Sequence, residues 1–420
     1  MIRAAIIGTM NPLFTELNSI RGLDDGIFGP CVRPYIAQLQ QQGYCSKTVR
    51  MHLCLFANFS RWLTRKRRSL CDVNEKLIDC FLQNHLCRQT WRAGERPALH
   101  RLLNILRKAR ITPPAKTIPP TPAQRLAADY RRYLSAERGC ASCTLENYGR
   151  HIDRFVAERF GIGPLKPARI LARDVVAFVQ REAQQHSRGR ILQVVTALRS
   201  FLRFMHYRGH IASDLAQAVP TVAHWRTAGL PKHLPPEAVQ KVLDSCDQTT
   251  AVGRRNYAIL LLMARLGLRA GEVIALQLDD IDWENAQLTI RSKKGRGWAR
   301  LPLPADVGKS VAFYLEHDRP SCSCRTVFIR MFAPYQRLSN SSVISVLTRN
   351  SLEKAGVDSA RKGAHLFRHS LATMMLRRGA SLDEIGQVLR HKDPDTTAIY
   401  AKVDLDALRP LAIAWPGGVQ

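Results

Sequence analysis

The residues His365-Leu366-Phe367-Arg368-His369, followed by Leu389-Arg390-His391 and then by Tyr400, bring histidines, an arginine and a tyrosine into one window. Such a set can handle a phosphodiester without a metal. A tyrosine hydroxyl has a reference pKa of about 10, so near neutral pH it attacks only if its proton is removed and the charge building on phosphorus is stabilised. Arg368 follows His365 by one helical turn, so both can face one pocket. A guanidinium grips two phosphate oxygens at once and stays charged at working pH. Leu382, Ile385, Val388 and Leu389 have helical spacing, which predicts a helix over 381–389 ending near His391. Pro394 then breaks the chain before a run that holds Tyr400, so His391 and Tyr400 can converge across a turn.

His365-x-x-Arg368-His369-Ser370-Leu371-Ala372-Thr373, then Leu389-x-His391 and a tyrosine nine residues on, resembles the C-terminal signature of the tyrosine recombinases, also called the phage integrase family. Leu266-Gly267-Leu268-Arg269-Ala270-Gly271-Glu272-Val273 resembles the family's first arginine box, and Lys294, in Ser292-Lys293-Lys294-Gly295-Arg296-Gly297, resembles its hairpin lysine. The pieces occur in the family's order across roughly residues 232–403. Arg390 is the one departure, standing where the family usually has glycine.

The resemblance implies a site-specific recombinase or integrase that breaks and rejoins DNA through a 3′-phosphotyrosine, with neither metal nor cofactor. Arg269 and Arg368 would clamp the scissile phosphate, Lys294 would protonate the leaving 5′ oxygen, and His365 and His391 would bond the phosphate or move the proton of Tyr400. Glu272 would orient a cation of the site, and His369 would support it from behind. A type IB topoisomerase would use similar chemistry. The alternative from another class is a catalytically inactive DNA-binding accessory protein or regulator of a mobile element, and a mobile-element recombinase is the preferred reading. Exchange between two duplexes implies several protomers, a homotetramer on synapsed sites or an assembly with related recombinases.

Composition points the same way. The 420 residues suggest two or three domains, and Lys+Arg 63 against Asp+Glu 34 gives a formal charge of +29, which calls for a polyanion such as double-stranded DNA. A membrane surface would be the rival partner, but neither an amphipathic anchor nor a lipidation motif is found. The 11 cysteines are odd in number and no signal peptide precedes them, so a reduced, cytoplasmic compartment is expected. Cys140-x-x-Cys143 and Cys322-x-Cys324 lack the further ligands that a structural zinc needs.

The expected fold is mainly α with a small β-hairpin in the catalytic domain, an α+β arrangement preceded by helical DNA-binding modules. Residues 1–112 form an N-terminal helical module. After a linker at Thr112–Pro122, residues 123–218 form a core-binding domain, and residues 232–420 form the catalytic domain. Tyr35, Phe59 and Phe81 answer to Tyr130, Phe155 and Phe178, so the first module reads either as a duplicate of the second or as two bundles sharing apolar spacing. Arg65-Lys66-Arg67-Arg68 is either a solvated face or a phosphate contact. Arg150, Arg154, Arg188, Arg190, Arg199 and Arg203 are the DNA-binding candidates of the second module. A helix is expected over Ala270–Leu278, with a hairpin around Lys294. The tail holding Leu405, Leu408, Leu411, Ile413 and Trp415 either docks on a neighbouring protomer or caps its own domain.

Overall fold

The computed structural model describes residues 27–86, 94–115, 119–161, 163–223, 232–291 and 297–403. The Lys294 turn and the apolar tail lie outside them. The chain divides into two units, Lys116–Ala228 and the combination of Met1–Ala115 with Gly229–Gln420.

The N-terminal module carries α1 (Gly29–Gln41), α2 (Ser46–Arg65), α3 (Glu75–Leu86) and α4 (Glu95–Lys108). Leu53, Phe56, Phe59 and Leu63 recur every three or four residues, so α2 buries one complete face. Phe59 anchors it, with its ring centroid 4.8 Å from Phe81 and 5.6 Å from Phe28. Arg107 of α4 donates twice to Glu75, at 2.7 and 2.9 Å, locking α4 to the start of α3.

The second unit carries α5 (Pro122–Ala136), α6 (Ser142–Phe160), α7 (Ala172–Gln185) and α8 (Arg188–Tyr207). A capping box between Thr121 and Gln124 sets where α5 begins. Tyr130, Phe155, Phe178 and Phe201 fill the core, with Phe155 and Phe178 5.1 Å apart.

In the remaining part, α9 (Pro236–Asp244) precedes α10 (Ala251–Leu266), whose run Ala258-Ile259-Leu260-Leu261-Leu262-Met263 is buried throughout. A helix apolar on every side belongs at the centre of its domain, and α10 is the axis on which the others pack. The helix expected over Ala270–Leu278 is much shorter: α11 spans only Ala270–Val273. The backbone leaves the helix because Leu276 accepts from the Val327 amide at 2.9 Å and Leu278 donates to the Arg325 carbonyl at 2.9 Å.

The hairpin strands β2 (Gln287–Arg291) and β3 (Trp298–Pro302) pair antiparallel, with Leu288 opposite Leu301 and Ile290 opposite Ala299. A short strand that no local pattern announces, β1 (Ile281–Asp282), extends the sheet in the order β1-β2-β3. Helices α12 (Ala305–Phe313), α13 (Ser342–Lys354), α14 (His365–Arg377), α15 (Leu382–Leu389) and α16 (Asp395–Ala398) follow. The chain is thus mainly α with a small sheet, as its patterning predicts.

The N-terminal module meets this part at Tyr335. The Tyr335 amide donates to Gln42 at 3.1 Å, and the ring lies so close to Gly43 that a methyl group there would stand 2.3 Å from it. Gly43 also has φ +79, so glycine is required twice over. Among the described residues no helix is long and apolar enough to cross a membrane.

Candidate active site

Helix α10 ends at Gly267 in a left-handed conformation, φ +59, where an added Cβ would come within 2.7 Å of Leu389 and 3.0 Å of Leu371. Only glycine lets the first arginine segment approach α14 and α15 so closely. The Gly267 carbonyl then accepts from the Arg368 guanidinium at 2.7 Å, while the other terminal nitrogen of Arg368 donates to the Leu389 carbonyl. Arg368 is therefore buried and tied to two backbone oxygens. Burial, with Arg269 and Arg390 nearby, brings its pKa down to about 9, and it stays charged at neutral pH.

Arg269 sits at the N-cap of α11, held from one side by Glu272. That carboxylate accepts from the Arg269 amide at 2.9 Å and from its guanidinium at 2.9 Å. The other approach to Glu272 is taken by Arg390, at 3.0 Å. Burial alone would raise the Glu272 carboxyl, but the Arg269 amide and the Arg390 and Arg269 guanidinium groups together hold it below the usual range.

Arg390 explains why glycine suits its position. It closes α15 in the left-handed region, φ 55 and ψ 50, so that the His391 amide returns to Gly386 at 2.9 Å. A side chain there is strained by about 1 kcal/mol relative to glycine. The guanidinium bridges Glu272 and the Val388 carbonyl, and its Nε is buried without a partner among the described residues.

Arg269, Glu272, His365, Arg390, His391 and Lys392 line one cavity of about 540 Å³. His391 Nδ1 is paired with the Thr397 hydroxyl at 2.7 Å, and His369 Nδ1 with the Tyr400 hydroxyl at 2.8 Å. His369, expected behind the site, thus touches the tyrosine directly. Thr397 had no sequence signal, because its role comes from the turn that brings α16 back toward His391.

Burial, then the neighbouring charges, lowers His369 and His391 to about 4; it lowers His365 as well. All three rings are neutral near pH 7, and a neutral ring can accept a proton at one nitrogen. Tyr400 is only 1% exposed, and its burial, partly offset by Arg368 and Arg269, pushes its hydroxyl up to about 12.

In the second unit, burial first and then the charges of Arg190, Arg150 and Arg154 lower the pKa of His151. Arg150, Arg188, Arg190 and Arg203 are exposed. Arg154 pairs with the buried Glu182 at 2.6 Å. Arg199 is turned inward, donating to the Val219 carbonyl at 2.9 Å and the Thr221 hydroxyl at 3.0 Å.

The model of the phage integrase family matches residues 232–406, and that of the phage integrase N-terminal SAM-like domain matches residues 127–209. The chain is 42% identical over 389 residues to y4rA of Sinorhizobium fredii (strain NBRC 101917 / NGR234), named an integrase/recombinase, covering 92% of this chain and 94% of that protein. It is 31% identical over 303 residues to the tyrosine recombinase XerD of Mycobacterium tuberculosis (strain ATCC 25618 / H37Rv), covering 69% of this chain and 95% of XerD. Among solved structures, the XerH site-specific recombinase in its post-cleavage complex with a palindromic difH substrate shares the fold, with a TM-score of 0.55 and 19% identity over 80% of this chain and 94% of XerH.

Proposed function

Because the chain belongs to the phage integrase family of tyrosine-type site-specific recombinases, we propose that it breaks and rejoins double-stranded DNA through Tyr400. The Tyr400 oxygen bonds to phosphorus as the bond to the 5′ oxygen breaks, leaving a 3′-phosphotyrosine and a 5′ hydroxyl. His369 Nδ1 takes the phenol proton, and Lys294 supplies a proton to the leaving oxygen. Arg269 binds the phosphate oxygens, with Glu272 fixing its direction, and Arg368 adds positive charge from behind. His365 and His391 bond the phosphate. The phosphotyrosine conserves the energy of the broken bond, so resealing on another strand reverses the same steps.

The observation that carries this reading is the 2.8 Å bond between His369 and Tyr400. It gives the nucleophile a neutral proton acceptor on the helix that also bears His365 and Arg368, and the negative phosphate entering beside it would strengthen that ring as a base. Since Tyr400 is 1% exposed, the segment after α15 must shift as DNA enters.

Residues 123–218 act as the core-binding domain, with Arg150, Arg188, Arg190 and Arg203 meeting phosphates, and residues 232–420 as the catalytic domain. Two duplexes offer four strands to cut and each cut consumes one tyrosine, which favours a homotetramer on synapsed sites of a mobile element. A nicked suicide duplex tests the chemistry. The unaltered chain should form a covalent adduct that survives denaturation, and Tyr400→Phe should bind DNA without forming it. An adduct that persists in Tyr400→Phe would move the nucleophile elsewhere; no adduct with the unaltered chain would favour an accessory DNA-binding protein.

A further inference from the structure

Residues 29–112 repeat residues 122–211 element by element. Helices α1 to α4 answer to α5 to α8, and a single 3-10 turn stands between the second and third helix of each set, Leu70–Asp72 and Pro167–Arg169. Tyr35, Leu39, Phe59, Phe81 and Leu102 are buried, and so are Tyr130, Leu134, Phe155, Phe178 and Leu202. Helix periodicity alone could match those core positions, but it does not generate matching backbone turns. Two left-handed positions also coincide: Gly43 with Gly139 after the first helix, and Arg110 with Gly209 after the fourth.

The charge is more one-sided in the first copy. Residues 29–112 hold sixteen Lys and Arg against four Asp and Glu, whereas residues 122–211 hold sixteen against seven. Part of that excess gathers at one end. Thr112 Oγ1 donates to the Leu70 carbonyl at 3.1 Å, which brings the C-terminal ends of α2 and α4 together. At that end Arg65, Lys66, Arg67, Arg68, Lys108 and Arg110 are all exposed.

Cations at a helix C-terminus complement its dipole, which accounts for one or two of the six. It does not account for Arg67 and Arg110. With φ of 51 and 57 both hold a strained backbone, and where Arg110 stands the second copy has glycine, Gly209. Strain kept at exposed, charged positions is a pointer to function. Among the described residues of these two helix ends, 65–70 and 107–112, none is a large exposed apolar side chain, so the surface suits phosphates rather than bases.

We propose that residues 29–112 are a second DNA-binding module, and that this basic end of α2 and α4 binds the phosphate backbone of duplex DNA without reading its sequence. The proposal rests on the reading that the chain acts on DNA. The test compares the full chain with a variant carrying Arg65→Gln, Lys66→Gln, Arg67→Gly, Arg68→Gln, Lys108→Gln and Arg110→Gly, on a random-sequence duplex across a range of salt. Every phosphate that the variant no longer neutralises should take ~0.9 off the slope of log K against log salt, up to about 5 in all.

An unchanged slope overturns the proposal, and weaker self-association beside that unchanged slope would mark a protein-binding surface instead. Lys66 and Lys108 offer a measurement that no misfolded variant can spoil. In the unaltered chain, bound duplex should shield both from an amine-reactive label, and equal labelling with and without DNA rejects the surface. Failure of the unaltered chain to bind any duplex would instead sink the recombinase reading itself.

Discussion

Arg390 reaches Glu272 at 3.0 Å from a left-handed backbone, and through that carboxylate it acts on Arg269. Two arginines share one acid at the mouth of the cavity. Arg390→Gly removes the strain, worth about 1 kcal/mol, and one charge-assisted hydrogen bond worth roughly 1.5–3 kcal/mol before solvent replaces it. The expected result is a melting temperature within a few degrees of the unaltered chain and single-turnover cleavage slower by no more than about tenfold. The limit is modest because the family signature itself carries glycine here. A collapse of folding would mean that Arg390 is structural.

Thr397→Val keeps the shape of the side chain and removes the partner of His391 Nδ1, 2.7 Å away. The ring loses the bond that selects its tautomer. Cleavage should fall by about tenfold, the effect of ~1.4 kcal/mol on the barrier, while duplex affinity stays the same. Equal rates for the two proteins would remove Thr397 from the site.

Gly267→Ala should destabilise the chain by about 2–3 kcal/mol, since it combines a left-handed backbone with a crowded contact. The new methyl group would press on Leu389, 2.7 Å away, and displace the carbonyl that Arg368 grips. In a Leu389→Ala background, whose own cavity lowers stability, Gly267→Ala should still cost more than half as much in a urea melt, because the backbone strain remains. A cost that vanished in that background would show that crowding alone made glycine necessary.

Acid should weaken the fold between about pH 6.5 and 4. His52, His369 and His391 are each lowered to about 4 by burial first, whereas an unfolded histidine takes its proton near 6.5. In that window the unfolded state binds more protons, so stability is full above it and is lost as the pH falls through it. Urea midpoints at pH 7 and pH 5 measure the drop, and His52→Gln should shrink it. A flat profile would contradict the buried, neutral state of these rings.

Much of this architecture is legible in the chain itself. Helix α15 announces itself through Leu382, Ile385, Val388 and Leu389, and the strands beside Lys294 through their alternation. What stays hidden depends on contacts between distant segments. The extent of α11 is decided by the pairing of residues 276–278 with 325–327, which no local pattern encodes. Arg390 can be seen to replace a glycine, but not that its side chain folds back to Glu272. His369 and Tyr400 are both visible, and only the packing of α14 against the turn after α16 joins them.

Tyr335 lies with its ring against Gly43, and its amide is satisfied by Gln42. A chain cut to begin at Thr121 would therefore be more than the same enzyme without a module. It would present a bare aromatic face and an unpaired amide to solvent, on a protein whose net charge is already high. Such a fragment would invite adhesion to other surfaces, and a fall in yield or specificity could be mistaken for weakened DNA binding. Shortening the chain cleanly means giving Tyr335 a polar replacement in the same step.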